Sequence, residues 1–145
     1  MMISARGRYA IRIMIELAEK NSNEFVRLKD LSESQTISHK YLESITATLS
    51  KSGLIEAAHG KGGGYRLKRS PEDYKISDIL TVTEGTLAPI TCLEGDANPQ
   101  ERAAEHRTLS MWQNFYTLIT NYFDNITIAD LMTHEYDVGY FAAAL

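Results

Sequence analysis

The sequence predicts a mainly α-helical chain with one small β-hairpin, and two adjoining stretches carry the prediction. Between Ser38 and Ser52, apolar residues recur every three or four positions, which is the spacing of a helix with one buried face. Residues 54–59 and 64–67 then form two short strand-like runs around the Gly-Lys-Gly-Gly turn at 60–63. A helix followed by a glycine-tipped basic hairpin is the arrangement of a winged helix. A long helix near the C-terminus completes the predicted fold.

The first element is a helix from Ala5 to about Lys20, preceded by Ser4. Arg6 and Arg8 lie in its first turn, where cations oppose the helix dipole. Arginine side chains and free backbone N–H groups at that position favour a phosphate contact, and solvated arginines are the alternative. The predicted buried stripe of this helix consists of Ile11, Met14, Ile15 and Ala18.

Two helices joined by a tight turn are predicted next, and this arrangement is typical of a DNA-reading unit. Leu28–Gln35 forms the first helix, Thr36-Ile37 the turn, and Ser38 caps the second helix, which Gly53 ends. Residues 25–27 could add a short strand to the hairpin. The predicted buried positions of the second helix are Leu42, Ile45, Leu49 and, in part, Tyr41.

The outward positions of the second helix lie near its N-terminal end, which is the end that usually enters the major groove. Lys40 and Ser38 suit phosphates or acceptor groups. Glu43 could accept a hydrogen bond from a cytosine amino group, and the alternative is an ordinary exposed glutamate. The predicted DNA contacts of this helix are Ser38, His39, Lys40, Tyr41, Glu43 and Ser44.

The C-terminal half begins with a helix over Asp78–Glu84, which we expect Ser77 to cap and Gly85 to end. Residues 86–107 predict a loop or a marginal helical stretch. Thr127 is expected to cap a last short helix, Ile128–Met132. The tail from His134 is too apolar for a typical disordered end.

Between the loop and the last helix, apolar residues repeat at helical spacing over about five turns. This face is wider and more aromatic than one small reading head could cover, so we expect part of it to contact a second copy of the chain. The alternative is a helix folded wholly onto its own head. The predicted interface is Leu109, Trp112, Phe115, Tyr116, Ile119, Tyr122, Phe123 and Ile126.

The charge of the chain is distributed unevenly. Residues 1–75 carry 13 Lys and Arg against 9 Asp and Glu, a net +4, whereas residues 76–145 have a net charge of −8. This asymmetry favours an anionic partner for the first half, although two differently solvated surfaces would also explain it. The single cysteine permits no internal disulfide, no apolar run is long enough to span a membrane, and no signal peptide is evident. These features predict a cytoplasmic protein.

The chain resembles the Rrf-two family of bacterial winged-helix regulators, which includes the IscR, NsrR and CymR types. The resemblance runs from about Ile3 to Met132 and is carried by ISARGRYAIRIMIELA, VRLKDLSESQTISHKYLESI, SKSGLI, GKGGGYRL, ISDIL, EG and NITIADL, in that order. It implies a winged helix-turn-helix in residues 1–75, a connecting helix and sensor-type loop in 76–107, and a dimerisation helix with a tail in 108–145.

The wing departs from the family at His59, where many relatives carry arginine. A histidine is mostly uncharged at neutral pH, so a phosphate contact there would be weaker and could strengthen as the pH falls. Tyr65 is expected to pack the wing against the helices rather than stack on bases. The predicted DNA contacts of the wing are His59, Lys61, Gly62, Gly63, Tyr65 and Arg66.

The loop departs as well. In the IscR and NsrR branches it carries three cysteines that hold an iron–sulfur cluster, whereas only Cys92 is present here, with Asn98 and residues 103–106 in the region of the others. The sequence therefore predicts no metal, cluster or other cofactor. Cys92 is interpreted as an inert small hydrophobe, with a redox sensor as the alternative.

The sequence thus predicts a homodimeric DNA-binding regulator, expected to be a repressor, that reads an inverted repeat of double-stranded DNA. The alternative is a CymR-like regulator that acts mainly through a partner protein bound to its C-terminal half. No nucleophile with a base, phosphate loop or metal constellation supports an enzyme.

Overall fold

The described residues fold as a set of helices with a two-stranded antiparallel sheet, which confirms the predicted fold class. The structure is a computed structural model, and it describes residues 2–20, 23–95 and 97–132. The expectation for the tail from His134 lies outside these residues. The helices are α1 (Ala5–Lys20), α2 (Leu28–Gln35), α3 (His39–Lys51), α4 (Ile76–Glu84), α5 (Pro99–Ala104), α6 (Leu109–Asp124) and α7 (Ile128–Met132), and the strands are β1 (Ile55–Ala58) and β2 (Gly64–Leu67).

The second helix of the reading unit is bounded as predicted. The Ser38 hydroxyl accepts a hydrogen bond from the Tyr41 N–H at 3.3 Å, so it caps α3. Gly53 follows α3 with φ +78°, a conformation that glycine adopts without strain. The predicted apolar positions Leu42, Ile45 and Leu49 are fully buried. The helix therefore has one face fixed in the core and the other free.

The sheet pairs β1 with β2 so that Ile55 lies opposite Leu67 and Ala58 opposite Gly64. Residues before α2 extend it, as predicted, through an antiparallel bridge between Val26 and Tyr65. Both N–H···O bonds of this bridge measure 2.8 Å. The base of the wing is thereby joined to the chain that enters the reading unit.

The buried face of α1 is rotated from the predicted stripe. Ile11 and Ile15 are only half-buried, whereas Ile13 and Leu17, which the prediction left out, lie in the core. The reason is that α1 contacts α2, α3, α4 and α7, so its burial follows several neighbours rather than one. A single apolar stripe does not describe such a central helix.

The start of α4 differs from the prediction. The helix begins at Ile76 without a side-chain cap, and Ser77 lies inside it, 5% exposed. Its hydroxyl donates a hydrogen bond to the Asp124 carboxylate at the end of α6. Ser77 therefore joins two helices instead of capping one, and Gly85 ends α4 as predicted.

The core extends from α1 to α7. Its cluster of buried apolar residues includes Ala10, Leu42, Ile79 and Ile128. The Thr127 hydroxyl accepts from the Asp130 N–H at 3.2 Å and so caps α7, as predicted. The domain boundaries predicted after residues 75 and 107 stay predictions. The core contains residues on both sides of each boundary.

Candidate nucleic-acid interface

The turn between α2 and α3 sets the direction in which α3 projects. Thr36 has φ +55°, the left-handed conformation that β-branched residues rarely adopt. The Ile37 N–H donates to the Ser32 carbonyl at 3.2 Å, and the Ser32 hydroxyl donates to the Ile37 carbonyl at 2.6 Å. Two hydrogen bonds thus close the turn on the same pair of residues. They hold α3 in a fixed relation to α2.

The outer face of α3 is polar and open to solvent. Tyr41, predicted to be partly buried, is half-buried and packs edge-on against the Tyr9 ring at a centroid distance of 5.9 Å. The other five α3 residues predicted to contact DNA are exposed, namely Ser38, His39, Lys40, Glu43 and Ser44. One face of the helix can therefore meet a groove while the opposite face stays in the core.

The two arginines of the first turn of α1 differ in environment. Arg6 is half-buried and donates to the Ser44 carbonyl at 3.1 Å, to the Ser44 hydroxyl at 3.4 Å and to the Thr48 hydroxyl. Arg8 is exposed, and within the described part of the chain its side chain makes no hydrogen bond or ion pair. The predicted pair of phosphate contacts is thus separated: Arg6 is bound to α3, and Arg8 faces solvent.

The N-terminus of α1 is also occupied from within. The Glu84 carboxylate accepts hydrogen bonds from the Ser4 N–H at 3.1 Å and the Ser4 hydroxyl at 2.7 Å. The Gly7 N–H donates to the Ser4 hydroxyl at 3.1 Å. A protein carboxylate therefore places negative charge at the N-terminus of α1, where a phosphate contact stays a prediction. Nothing in the local sequence pairs Glu84 with a helix that starts 79 residues earlier.

The tip of the wing is exposed, and its base is closely packed. His59, Lys61 and Gly62 are exposed at the turn, with Gly63 half-buried behind them. Tyr65 is half-buried and packs against the core, in agreement with the packing interpretation. Lys61 is therefore the wing cation that lies free at the tip within the described residues.

Arg66, the second predicted wing cation, is bound within the wing. It pairs with the Glu56 carboxylate on the opposite strand and donates to the Asn23 carbonyl. Its guanidinium also lies over the Phe25 ring, 4.3 Å from the centroid. These contacts stabilise the base of the wing, and a DNA contact by Arg66 stays a prediction.

A polar cluster that the sequence interpretation missed joins α1 to α2. Glu16 is 8% exposed and accepts from the Ser34 hydroxyl at 2.6 and 2.8 Å, from the Gln35 amide and from Lys20 at 3.0 Å. Arg12 donates to the same Gln35 side chain at 2.9 Å. The only sequence signal for this cluster is a glutamate within an otherwise buried helical face.

The pKa of Glu16 reflects two opposing effects. Burial raises it, because a charged carboxylate loses hydration. The hydrogen bonds from Ser34, Gln35 and Lys20, together with the positive charge of Lys20, lower it further than burial raises it, so the pKa lies below its ordinary value. Glu16 is consequently ionised at neutral pH and stabilises the α1–α2 contact.

The loop after α4 contains Cys92 in a single 3-10 turn, Thr91–Leu93, with the thiol residue 4% exposed. Asn98 accepts from the Gln100 N–H at 2.8 Å and caps α5. Over residues 2–20, 23–95 and 97–132, no group of three His, Cys, Asp or Glu side chains is placed to hold a metal ion. In the same ranges, no helix has the length and apolar character that a membrane span requires.

The α6 helix has no buried residue in the single chain. Met111, Phe115 and Leu118 are 52%, 41% and 68% exposed, and the first and last of these were not among the predicted interface residues. Ile126, which was among them, is buried in the core of its own chain and is not free to contact a copy. The other predicted residues are half-buried, namely Leu109, Trp112, Tyr116, Ile119, Tyr122 and Phe123.

Comparison with known proteins places these features in one family. Residues 3–134 match the Rrf2 family model, described as an iron-dependent transcriptional regulator. The chain is 33% identical to the transcriptional regulator CymR of Bacillus subtilis over 92% of this chain and 91% of that protein. It is 32% identical to IscR of Vibrio parahaemolyticus over 92% of this chain and 78% of that protein.

Solved structures show the same similarity. The structure of B. subtilis CymR, the global cysteine regulator of that organism, superposes with a TM-score of 0.74 at 30% identity, over 92% of this chain and 98% of that one. IscR of T. potens gives a TM-score of 0.69 at 32% identity, over 91% and 86% of the two chains. Both the sequence and the fold therefore match HTH-type regulators.

Proposed function

The chain belongs to the Rrf2 family of transcriptional regulators, and from this we propose that it binds an inverted-repeat operator as a homodimer, without an iron–sulfur cluster. That it is a DNA-binding regulator follows from the family. The operator symmetry, the dimer and the lack of a cluster are our proposals. We further propose that it acts as a cytoplasmic repressor by binding alone, with no catalytic step.

The observation that carries the proposal is the exposure of one face of α3. Its N-terminal residues offer a cation in Lys40 and an acceptor in Glu43, both open to solvent. Such groups recognise phosphate oxygens and base edges in the major groove. Lys61 at the wing tip and Arg8 on α1 add exposed positive charge. The net positive N-terminal half of the chain supports the same surface.

The homodimer is supported by α6. Met111, Phe115, Leu118 and Tyr122 follow one another at intervals of four, three and four residues, which places them in one line along the helix. From Met111 to Tyr122 this line covers 12 of the 16 residues of α6 and spans about 17 Å. A second copy related by a two-fold axis would cover it. Two reading helices would then meet half-sites about one turn of DNA, roughly 34 Å, apart.

A cluster is not supported by the residues present. Thiolates are the ligands that iron–sulfur clusters require, and the single thiol of this chain is buried in the turn that contains it. Asn98 is engaged in capping α5. The His106 ring nitrogen Nδ1 lies 3.2 Å from the Ala103 carbonyl. We therefore propose regulation without iron, with Cys92 as an inert residue.

The test is selection of bound duplexes from genomic fragments, followed by gel-shift titration of the full chain at several salt concentrations. We expect a two-fold symmetric site and a steep loss of affinity with salt, with a slope of about −0.9 per phosphate contacted. A flat salt response, or a selected pool without symmetry, would contradict the proposal. Iron analysis and the visible absorption of protein purified without oxygen test the lack of a cluster.

The alternative is regulation through a partner protein bound to the C-terminal half, as the resemblance to CymR suggested. Its predicted docking surface includes the tail from His134, which lies outside the described residues. Pull-down with the full chain and with a chain truncated before His134 separates the two hypotheses. Capture that depends on the tail, together with weak binding to every duplex, would favour the alternative.

A further inference from the structure

Arg6 bridges one full turn of the reading helix. Its guanidinium donates to the backbone carbonyl and the hydroxyl of Ser44 and to the hydroxyl of Thr48, which lies four residues further along α3. A planar guanidinium donates in fixed directions, so three acceptors on one helix face define its position closely. The contact therefore constrains both the rotation and the tilt of α3 relative to α1.

The acceptors of Arg6 are themselves fixed within α3. The Ser44 hydroxyl donates to the Tyr41 carbonyl at 2.9 Å, and the Thr48 hydroxyl donates to the Ser44 carbonyl at 3.1 Å. These bonds hold both hydroxyl oxygens toward the guanidinium. Glu43 immediately precedes Ser44, so a rotation of α3 that broke the Arg6 contact would also move the Glu43 side chain.

The start of α1, which carries Arg6, is also held in place. Ser4 is bound to Glu84 through both its N–H and its hydroxyl, and its hydroxyl also accepts from Gly7. A Cβ atom at Gly7 would lie 2.3 Å from the Glu84 carboxylate oxygen, so only glycine permits this close approach. Arg6 lies between Ser4 and Gly7 in the sequence. The first turn of α1 is thus attached to α4 on one side and to α3 on the other.

We infer that Arg6 is a positioning residue for sequence recognition and not a phosphate contact: it sets the orientation in which α3 presents Glu43 and its neighbours to the bases. This inference rests on the proposed function, because it concerns how the operator is discriminated. The guanidinium of Arg6 is bound to α3. A phosphate could therefore bind it only by breaking the contact that orients α3. Arg8 supplies the matched comparison, since it carries the same charge in the same helical turn and faces solvent.

The test compares three full-chain variants, Arg6→Ala, Arg6→Lys and Arg8→Ala, on a duplex selected by the wild-type chain and on a scrambled duplex of the same composition. We expect Arg6→Ala to lower the selected-to-scrambled affinity ratio about tenfold, which corresponds to one lost charge-assisted hydrogen bond. Arg6→Lys should lower the ratio similarly, because an ammonium group cannot make the forked contact. Arg8→Ala should lower both affinities by one factor and leave the ratio unchanged.

Salt dependence separates the two roles of Arg6. A positioning residue leaves the slope of affinity against salt at its wild-type value, whereas loss of a phosphate contact reduces it by about one. The inference is overturned if Arg6→Lys keeps the ratio while Arg6→Ala reduces the slope and weakens both duplexes equally.

A wild-type chain that prefers no duplex would contradict the proposed function. The contact between Arg6 and α3 can still be tested then, by a measurement without DNA. Backbone amides of residues 44–51 should exchange hydrogen about tenfold faster in Arg6→Ala than in wild type. Arg8→Ala should leave their exchange unchanged. Equal exchange rates in Arg6→Ala and wild type would show that Arg6 does not hold α3, and the inference would fall.

Discussion

The hydroxyl group of Tyr74 donates a hydrogen bond to the backbone carbonyl of Leu54 across 2.7 Å. The same oxygen accepts from the N–H groups of Lys68 at 2.9 Å and Arg69 at 3.0 Å. Tyr74 is 1% exposed, so these bonds form away from water. One phenol therefore ties together the start of β1, the end of β2 and the segment that leads into α4.

Tyr74→Phe should destabilise the chain by about 1–3 kcal/mol, because it leaves a buried carbonyl and two N–H groups without their partner. Urea unfolding monitored by circular dichroism measures the free energy of unfolding. Tyr65→Phe is the control, since the structure gives its hydroxyl no partner within the described residues. Equal effects of the two variants would contradict the role given to the Tyr74 hydroxyl.

Gly64→Ala should detach the wing from residues 25–27. A Cβ atom at Gly64 would lie 2.2 Å from the Val26 carbonyl oxygen, inside the bridge that joins Val26 to Tyr65, and φ is +150°. We expect a loss of about 1–3 kcal/mol in stability from this overlap. Gly95→Ala serves as the control, because no described heavy atom lies within 4 Å of its added Cβ. Thermal unfolding of both variants measures whether Gly64→Ala loses more stability than Gly95→Ala.

Glu16→Gln should destabilise the chain at neutral pH by about 1–3 kcal/mol, since it weakens charge-assisted hydrogen bonds in a buried cluster. The pKa of Glu16 is lowered in the folded chain. The contribution of the Glu16 carboxylate to stability is therefore fully present above the ordinary glutamate pKa of about 4.3. It is lost as the pH falls through the lower pKa of the folded chain. The difference between wild type and variant should shrink on acidification.

Denaturant titrations of the wild-type and variant chains from pH 7 downward measure this difference. Glu19→Gln is the matched control on the same helix, because Glu19 is exposed. A difference that stays constant down to pH 3 would mean that the Glu16 charge does not stabilise the fold.

Leu118→Glu should convert the proposed dimer to monomer. Leu118 is the most exposed apolar residue of the α6 line. In a two-fold dimer, a carboxylate at this position would be buried and would face the same carboxylate of the other copy, which destabilises the interface. Sedimentation over a concentration series measures the mass. Thr117→Glu adds the same charge at an exposed position outside the Met111–Tyr122 line and should stay dimeric. A wild-type chain that sediments as a monomer would remove the dimer proposal itself.

Glu43→Ala should broaden the choice of binding site with little loss of affinity, because a carboxylate near phosphates gains only where a base offers a donor. Lys61→Ala should instead weaken all duplexes alike and reduce the salt slope by about one. Binding of both variants to a library of single-base operator variants separates these patterns. Unchanged site preference in Glu43→Ala would assign base discrimination to other residues.

Elements whose signals are local were predictable from the amino-acid sequence. The cap at Ser38, the stop at Gly53 and the cap at Thr127 each involve groups a few residues apart, so spacing alone located both ends of α3 and the start of α7. The apolar period of α3 likewise assigned its buried and outer faces. A short strand at residues 25–27 was also predicted, and Val26 bridges Tyr65 there.

Contacts between elements could not be predicted in this way. The bond from Arg6 to Ser44 and the bond from Ser77 to Asp124 each join groups dozens of residues apart, and the burial of Ile126 in its own chain likewise depends on distant neighbours. Periodicity shows that a helix has an apolar face, but the neighbours packed around that helix determine how wide the face is and where a charged side chain finds its partner.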